Sequence, residues 1–445
     1  MLTRACLCLV LLVAIPACSQ VAPAATGGND VPDDDSRMPM PPMVSGQAFP
    51  TSTRSETRSD YLDARLAFEP EYYDNLLPGY GDTPINDVGY SIRPSIQLDQ
   101  LTPRLHQTWS YQPNFTIYQR TSARNEEDQS ASVEVQFRLS PHITLNGQDF
   151  FQKTSNVFNQ PYSLSGAPIS GSLPSSPADV VAPFEDRLTN VANAVVAYQV
   201  SRNAMFGGGG TTSIYDYLDQ AQSSGLFNSN SSGGTAFYTR RMHGTQYLGL
   251  TYQFVRTLGH PENTQIEIQT NTVLPFYSII LEHRLSLSFA GGALHYRFTD
   301  PALPQSSSWS PAVTASLAWQ EYRTNVVASY SRIVTGAGGL LGVFSSNTAN
   351  ASFHWQMART WSAGITGSYS LFKNLSPLSS LNRPGGHSLT GTVSLDHPLG
   401  ERINTSFGYQ RLDQRYSSIA AISGDPNSDH VYFSISYQLT KPLGR

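Results

Sequence analysis

At 445 residues and a formal net charge of −5, the chain has no basic excess with which to hold nucleic acid. A hydrophobic fraction of 39% and a mean hydropathy of −0.28 are too low for a bundle of membrane helices, and past residue 17 no apolar run approaches the roughly 20 residues a spanning helix requires. Charged residues make up only 14%, while 23 Tyr, 20 Phe and 5 Trp are present, a balance that suits a lipid-facing belt better than an average soluble enzyme.

The opening, MLTRACLCLVLLVAIPACSQ, places Arg4 before an apolar run and small residues after it. It predicts a secretory signal peptide over 1–19, too short to anchor a membrane protein. Ile15-Pro16-Ala17-Cys18 also admits a lipobox reading with Cys18 lipidated, although Pro16 is unusual there. All three cysteines fall in this stretch, so cleavage after Ser19 leaves a chain without disulfides. Residues 20–60, rich in Pro, Asp, Ser and Met without any period, predict a disordered periplasmic tail.

From residue 61 onward the chain alternates. Ala131, Val133, Val135 and Phe137 oppose Ser132, Glu134, Gln136 and Arg138, and Ala351, Phe353, Trp355 and Met357 oppose Asn350, Ser352, His354 and Gln356. The final stretch, Val431 to Thr440, sets Val431, Phe433, Ile435, Tyr437 and Leu439 against Tyr432, Ser434, Ser436, Gln438 and Thr440. Side chains of a strand point alternately to opposite faces, so each segment has one apolar and one polar side. The pattern predicts strands at 62–74, 88–99, 104–119, 129–139, 142–155, 187–200, 203–216, 234–241, 245–256, 263–281, 284–299, 309–321, 323–333, 346–357, 360–372, 387–397, 402–412 and 429–440.

Tight connections such as Leu139-Ser140-Pro141-His142 and Pro398-Leu399-Gly400-Glu401 alternate with long polar ones, the longest being 156–186. Within that loop, 177–186 could form a helical turn folded inward to narrow a pore. Short turns at one rim and long loops at the other predict an all-β, transmembrane antiparallel barrel over 61–445, of about 18 strands with 16 also compatible. An even count leaves both termini on the periplasmic side. Pro94, Pro113 and Pro275 fall inside predicted strands and argue locally against them, since proline belongs at strand starts, edges and bulges. Gly207 to Gly210 and the shortness of 234–241 weaken two more.

Several segments, RLSPHITL (138–145), YQVSRNAMFGGGG (198–210), RLSLSFAGG (284–292), RTWSAGITGSYS (359–370) and the ending FSISYQLTKPLGR (433–445), are similar to outer-membrane proteins of the β-barrel porin 2 type. The resemblance covers most of 60–445 and implies an outer-membrane barrel with a pore. It supplies neither a substrate nor a catalytic residue set. A terminal aromatic usually closes a porin's last strand, whereas Lys441-Pro442-Leu443-Gly444-Arg445 follows it here, which leaves Tyr437 or Phe433 as the aromatic to be read by the barrel-assembly machinery.

Motifs for chemistry are weak. Gly207 to Gly210 lacks the Lys-Ser/Thr pair of a phosphate loop, and the Gly336 to Gly342 run misses dinucleotide spacing and has no βαβ context. The ten histidines show no metalloprotease spacing, no cysteine pair could hold zinc, and no GxSxG elbow occurs. The reading is therefore a non-enzyme without cofactor or metal. Alternation assigns Arg65, Arg93, His106, Glu134, Arg138, Glu267 and His354, with Glu69 and Glu71, to the lumen. It assigns Trp109, Tyr111, Trp319, Trp355, Trp361, Tyr409 and Tyr437 to an aromatic girdle at the lipid–water boundary.

The function this predicts is passive diffusion of small solutes through a porin-like channel, in contact with outer-membrane lipid, with monomer and homo-oligomer both compatible. One rival is a plugged barrel whose long loops bind a partner or polysaccharide. Another is a soluble β-sandwich, because a sandwich strand also has one apolar face.

Overall fold

A computed structural model of the chain describes residues 59–76, 84–156, 158, 185–218, 226–261, 265–281, 284–301, 305–336, 343–375, 385–417 and 427–442. The signal peptide, nearly all of the tail, and most of the 177–186 turn lie outside these residues. Alternating residues extend the chain into β1 (Ser59–Tyr73), β2 (Asp87–Leu101), β3 (Leu105–Tyr118), β4 (Glu126–Arg138), β5 (Ile143–Thr154) and β6 (Arg187–Ser201). There follow β7 (Ala204–Tyr217), β8 (Asn228–His243), β9 (Gln246–His260), β10 (Ile266–Leu281), β11 (Leu285–Thr299) and β12 (Ser306–Glu321). The last six are β13 (Thr324–Thr335), β14 (Phe344–Gln356), β15 (Ser362–Asn374), β16 (Gly385–Pro398), β17 (Ile403–Ser417) and β18 (Asn427–Pro442).

Each strand pairs antiparallel with its sequence neighbours, and β1 pairs with β18 from Tyr61↔Pro442 to Tyr73↔His430. That last ladder closes an 18-stranded sheet into a cylinder without free edges. Two layers over a dry centre, as in a sandwich, are therefore ruled out. Strand β1 begins and β18 ends at the rim carrying the short turns, and the long connections all lie at the opposite rim. The segment expected as a short strand at 234–241 runs the full wall, Asn228–His243. Its outer Asn, Ser and Gly residues are too polar to register as an apolar stripe.

The prolines stay within their strands by interrupting hydrogen bonding on one side only. Pro94 pairs with Leu66 of β1, but the β2–β3 ladder is broken between Ile92↔Phe115 and Ile96↔Tyr111, where Pro94 and Pro113 would meet. Pro275 pairs with Leu250 of β9, while the β10–β11 ladder skips from Val273↔Ala293 to Phe276↔Ala290. Pro70 does the same on the β1–β18 side. A residue without an N–H needs only one such gap, and a closed wall has enough other rungs to hold it.

The outer face carries the large apolar side chains. Leu66, Phe68, Ile96, Phe115, Val196, Leu250, Phe289, Ile365, Val393, Phe407, Ile435 and Leu439 are all exposed there. So broad an apolar surface is foreign to a soluble monomer. No helix among the described residues is long and apolar enough to cross a membrane, and the strands themselves supply the wall.

Candidate functional site

The candidate site is the inner wall, and it has two unlike arcs. On β14 to β18 and β1 to β4 the inward side chains are mostly polar, including Ser346, Thr348, Ser370, Ser388, Gln414, His430, Ser434, Glu69, Glu71, Ser91, Arg93 and Thr116, all buried. Phe344, Phe372, Leu412 and Tyr118 are buried apolar or aromatic residues toward the long-loop rim. Their centre is Glu71, whose side chain is fully shielded. Its carboxylate accepts the Tyr73 hydroxyl at 2.6 Å and the Ser91 hydroxyl, faces His430 Nε2 at 3.0 Å, and lies 3.4 Å from Arg93 Nη2. Arg93 Nη1 reaches Glu69 at 2.9 Å and its Nε donates to Asn114 Oδ1 at 3.2 Å. A buried carboxylate is tolerable when its lone pairs are filled and a cation faces it, and here both conditions hold.

Pro70 separates Glu69 from Glu71, Pro94 follows Arg93, and Pro113 precedes Asn114. The charged node thus sits where the ladder is open, and side-chain bonds replace missing rungs. Beyond the end of β1, burial and the Asp429 carboxylate hold the Asp74 carboxyl above its usual range.

The mouth above this node is partly covered. His430 stacks on Tyr73 at 4.5 Å, and Phe158, just after β5, packs against both rings at 5.2 and 6.1 Å. Strand β5 lies four strands away from β1 around the wall, so the chain after Thr154 turns inward to reach them. Asn156, fully buried, supports that turn by accepting the Phe158 N–H through its side chain at 3.0 Å.

The second arc, β6 to β12, is largely apolar within, with buried hydroxyls such as Thr251, Thr272, Ser288 and Thr314 set among the apolar side chains. Val195, Ala197, Met205, Phe237, Tyr247, Ile268, Leu274, Phe276, Leu294, Tyr296 and Phe298 form one buried cluster, joined by Val334 and Val343 from the β13–β14 hairpin. Some of its rings lie flat on glycines of the next strand. A Cβ at Gly249 would fall within the ring of Phe276, and one at Gly207 would meet Phe237. Laying rings along the wall keeps it thin and fills the missing side-chain volume. In the Gly207 to Gly210 run, Gly207 and Gly209 leave no room for a side chain, which accounts for half of that run.

Of the residues assigned to the lumen, Arg65, Arg93, His106, Glu134, Arg138 and His354 have the inward parity of their strands, as do Glu69 and Glu71. Arg93, Glu69 and Glu71 meet in one node. His106 instead pairs with Asp99 at 3.1 Å, nearer the short-turn rim, and His354 lies exposed two residues from its strand end.

Glu267 corrects the sequence reading, because it faces outward. It shares its face with Val273 and Tyr277 and is bonded to Arg256 Nε at 2.6 Å, while its neighbours Ile266 and Ile268 are the inward, buried residues. Toward the long-loop rim of β10 the polarity of the two faces is reversed, so polar no longer means inward. Alternation also left His430 unassigned, although it sits on the polar face of β18.

Trp109, Tyr111, Trp319, Trp355, Trp361, Tyr409 and Tyr437 have outward parity. Trp319, Trp355, Trp361 and Tyr437 stand near the short-turn rim and Tyr409 toward the other. Trp361 packs on His397 at 4.3 Å, and the Tyr409 hydroxyl bonds Asp429 at 2.5 Å. Among the described residues no group of three or more His, Cys, Asp or Glu could hold a metal ion.

No known family profile matches the chain, and no curated protein matches it. Among solved structures it is similar to OccAB4 of Acinetobacter baumannii (TM-score 0.42, 10% identity, 87% of this chain and 100% of that one). It is also similar to the outer-membrane protein OpdK of Pseudomonas aeruginosa (0.40, 11%, 85% and 99%). A third is OccK2 (OpdF) of Pseudomonas aeruginosa in complex with glucuronate (0.43, 9%, 86% and 98%). At these scores the likeness adds no weight to the barrel, which rests on the chain's own register.

Proposed function

We propose that the chain is a passive diffusion channel for small solutes, seated in a bacterial outer membrane after export. The observation that carries this reading is the pairing of an apolar, exposed outer face with a polar inner arc on a closed wall of 18 strands. Hydrocarbon then covers the outside, water wets the polar arc, and barrels of roughly 16–18 strands have the girth for an aqueous channel. Solutes move down their gradient, with the inward turn at Asn156 and Phe158 and the buried node at Glu71 restricting the mouth. Glu134, Arg138, Arg65 and His106 line the path toward the short-turn rim, and their mixed signs favour weak ion preference. The girdle aromatics hold the barrel at the lipid boundary, and Tyr437 or Phe433 presents the last strand to the assembly machinery.

Purified protein in a planar bilayer tests this. Conductance steps of stable size are expected; a folded barrel that stays silent would refute the channel. Silence would favour the second reading, a plugged barrel that binds through its loops. That reading has its own support in the covered mouth and in the apolar inner arc, which Val334 and Val343 extend.

A further inference from the structure

The reversed polarity near the long loops of β9, β10 and β11 creates an outward patch that the channel does not use. Arg256, Gln269 and Arg297 occupy neighbouring positions on one register row, with Glu267 on the next. Glu267 takes the Arg256 Nε at 2.6 Å and the Gln269 amide at 2.6 Å, fixing the Arg256 guanidinium while leaving its side chain 46% exposed. Arg297 is exposed and has no ion pair among the described residues. On the outward face of the three strands themselves, two guanidiniums stand against one carboxylate and leave one positive charge in excess. The outward charges of β17 and β18 differ, since Arg411 pairs with Asp429 and Arg415 lies 3.6 Å from Asp413.

Height on the wall identifies what the surplus meets. The next outward row toward the short turns holds Asn271, His295 and Trp309, with the rings of His295 and Trp309 4.9 Å apart and the Tyr252 hydroxyl bonded to Asn271 at 2.8 Å. Below these come Val273, Pro275 and Leu250, all apolar, with Tyr277 on the same face. Amphipathic rings mark the lipid–water boundary, so the guanidiniums lie just above it, at the level of head-group phosphates. Arginine's planar fork suits phosphate oxygens, and the bonds are charge-assisted.

We propose that Arg256 and Arg297 form a site for the phosphorylated head group of an outer-leaflet glycolipid. The inference rests on the membrane reading above but not on conduction. The test is native mass spectrometry of the detergent-purified barrel with bisphosphorylated lipid A, with the same lipid A after phosphate removal, and with inorganic phosphate as competitor. Wild-type protein is expected to retain the phosphorylated lipid about tenfold better than the dephosphorylated one, the size expected for loss of a charge-assisted contact. The R256Q/R297Q variant should lose that preference and R411Q should keep it.

Equal retention of both lipids by the wild type overturns the site, and needs no variant to fold. Displacement of the lipid by excess inorganic phosphate would also overturn it, marking a free-anion site instead. Carbonate release of the barrel from membranes would sink the membrane reading, whereas a membrane-held barrel that ignores the phosphates sinks this site alone.

Discussion

The two inner arcs use the same backbone to opposite ends. Around Glu71 the wall is held by ionic and hydroxyl contacts between side chains bracketed by prolines, and around Phe276 by rings laid over glycines. The polar arc depends on complete pairing: removal of one partner strands the others. The apolar arc depends on shape, and tolerates loss of volume better than gain where backbone lies beneath a ring. A barrel of this girth thus need not have a uniformly wet interior.

The comparison can be broken first at Arg93. Arg93→Met leaves Glu69 and Glu71 buried without their cation, and should lower unfolding stability in detergent by about 3–5 kcal/mol. An unchanged urea midpoint would mean the node is hydrated and interchangeable with the rest of the wall. On the other arc, Gly249→Val forces a branched side chain into the place of the Phe276 ring and should cost about 1–3 kcal/mol by the same measurement. Pairing it with Phe276→Ala should cost less than the sum of the two single losses, because the ring that the valine meets is gone; strict additivity would contradict the contact.

Phe158→Ala removes a ring from the Tyr73–His430 stack. Roughly 0.5–1.5 kcal/mol of stability should go with it, and single-channel conductance should rise as the inward turn loosens. A fall or no change in conductance would show that this turn does not narrow the path. The smallest effect sharpens the line between inside and outside: Glu134→Gln should shift the reversal potential in a salt gradient, while Glu267→Gln should leave it where it was. Equal shifts would return Glu267 to the lumen.

How far the sequence could be read follows from the same asymmetry. Period-two alternation located all the strands because lipid and water impose it over the middle of the wall, and Val431 to Thr440 shows it without a flaw. It failed at Glu267 because the strand there has passed the apolar zone, with solvent outside and packed side chains within. The short reading of β8 failed for a related reason: Asn230, Ser232 and Gly234 face outward with no apolar stripe to announce them. The Glu71 node was legible in parts, as Glu69, Glu71 and Arg93 on polar faces. Its union with His430 was not, because those residues meet only through the closing ladder, 359 positions apart in the chain for Glu71 and His430.

That separation bears on how the cylinder is finished. The contact joins the first staple of the wall to the last, so it cannot exist in any unfinished intermediate. Sliding either strand by one residue would turn its own member of the pair to the outer face and forfeit the bond. The Glu71–His430 pair therefore works as a registration key: only the correctly aligned seam can engage it, and misaligned closures are left with stranded polar groups that favour reopening.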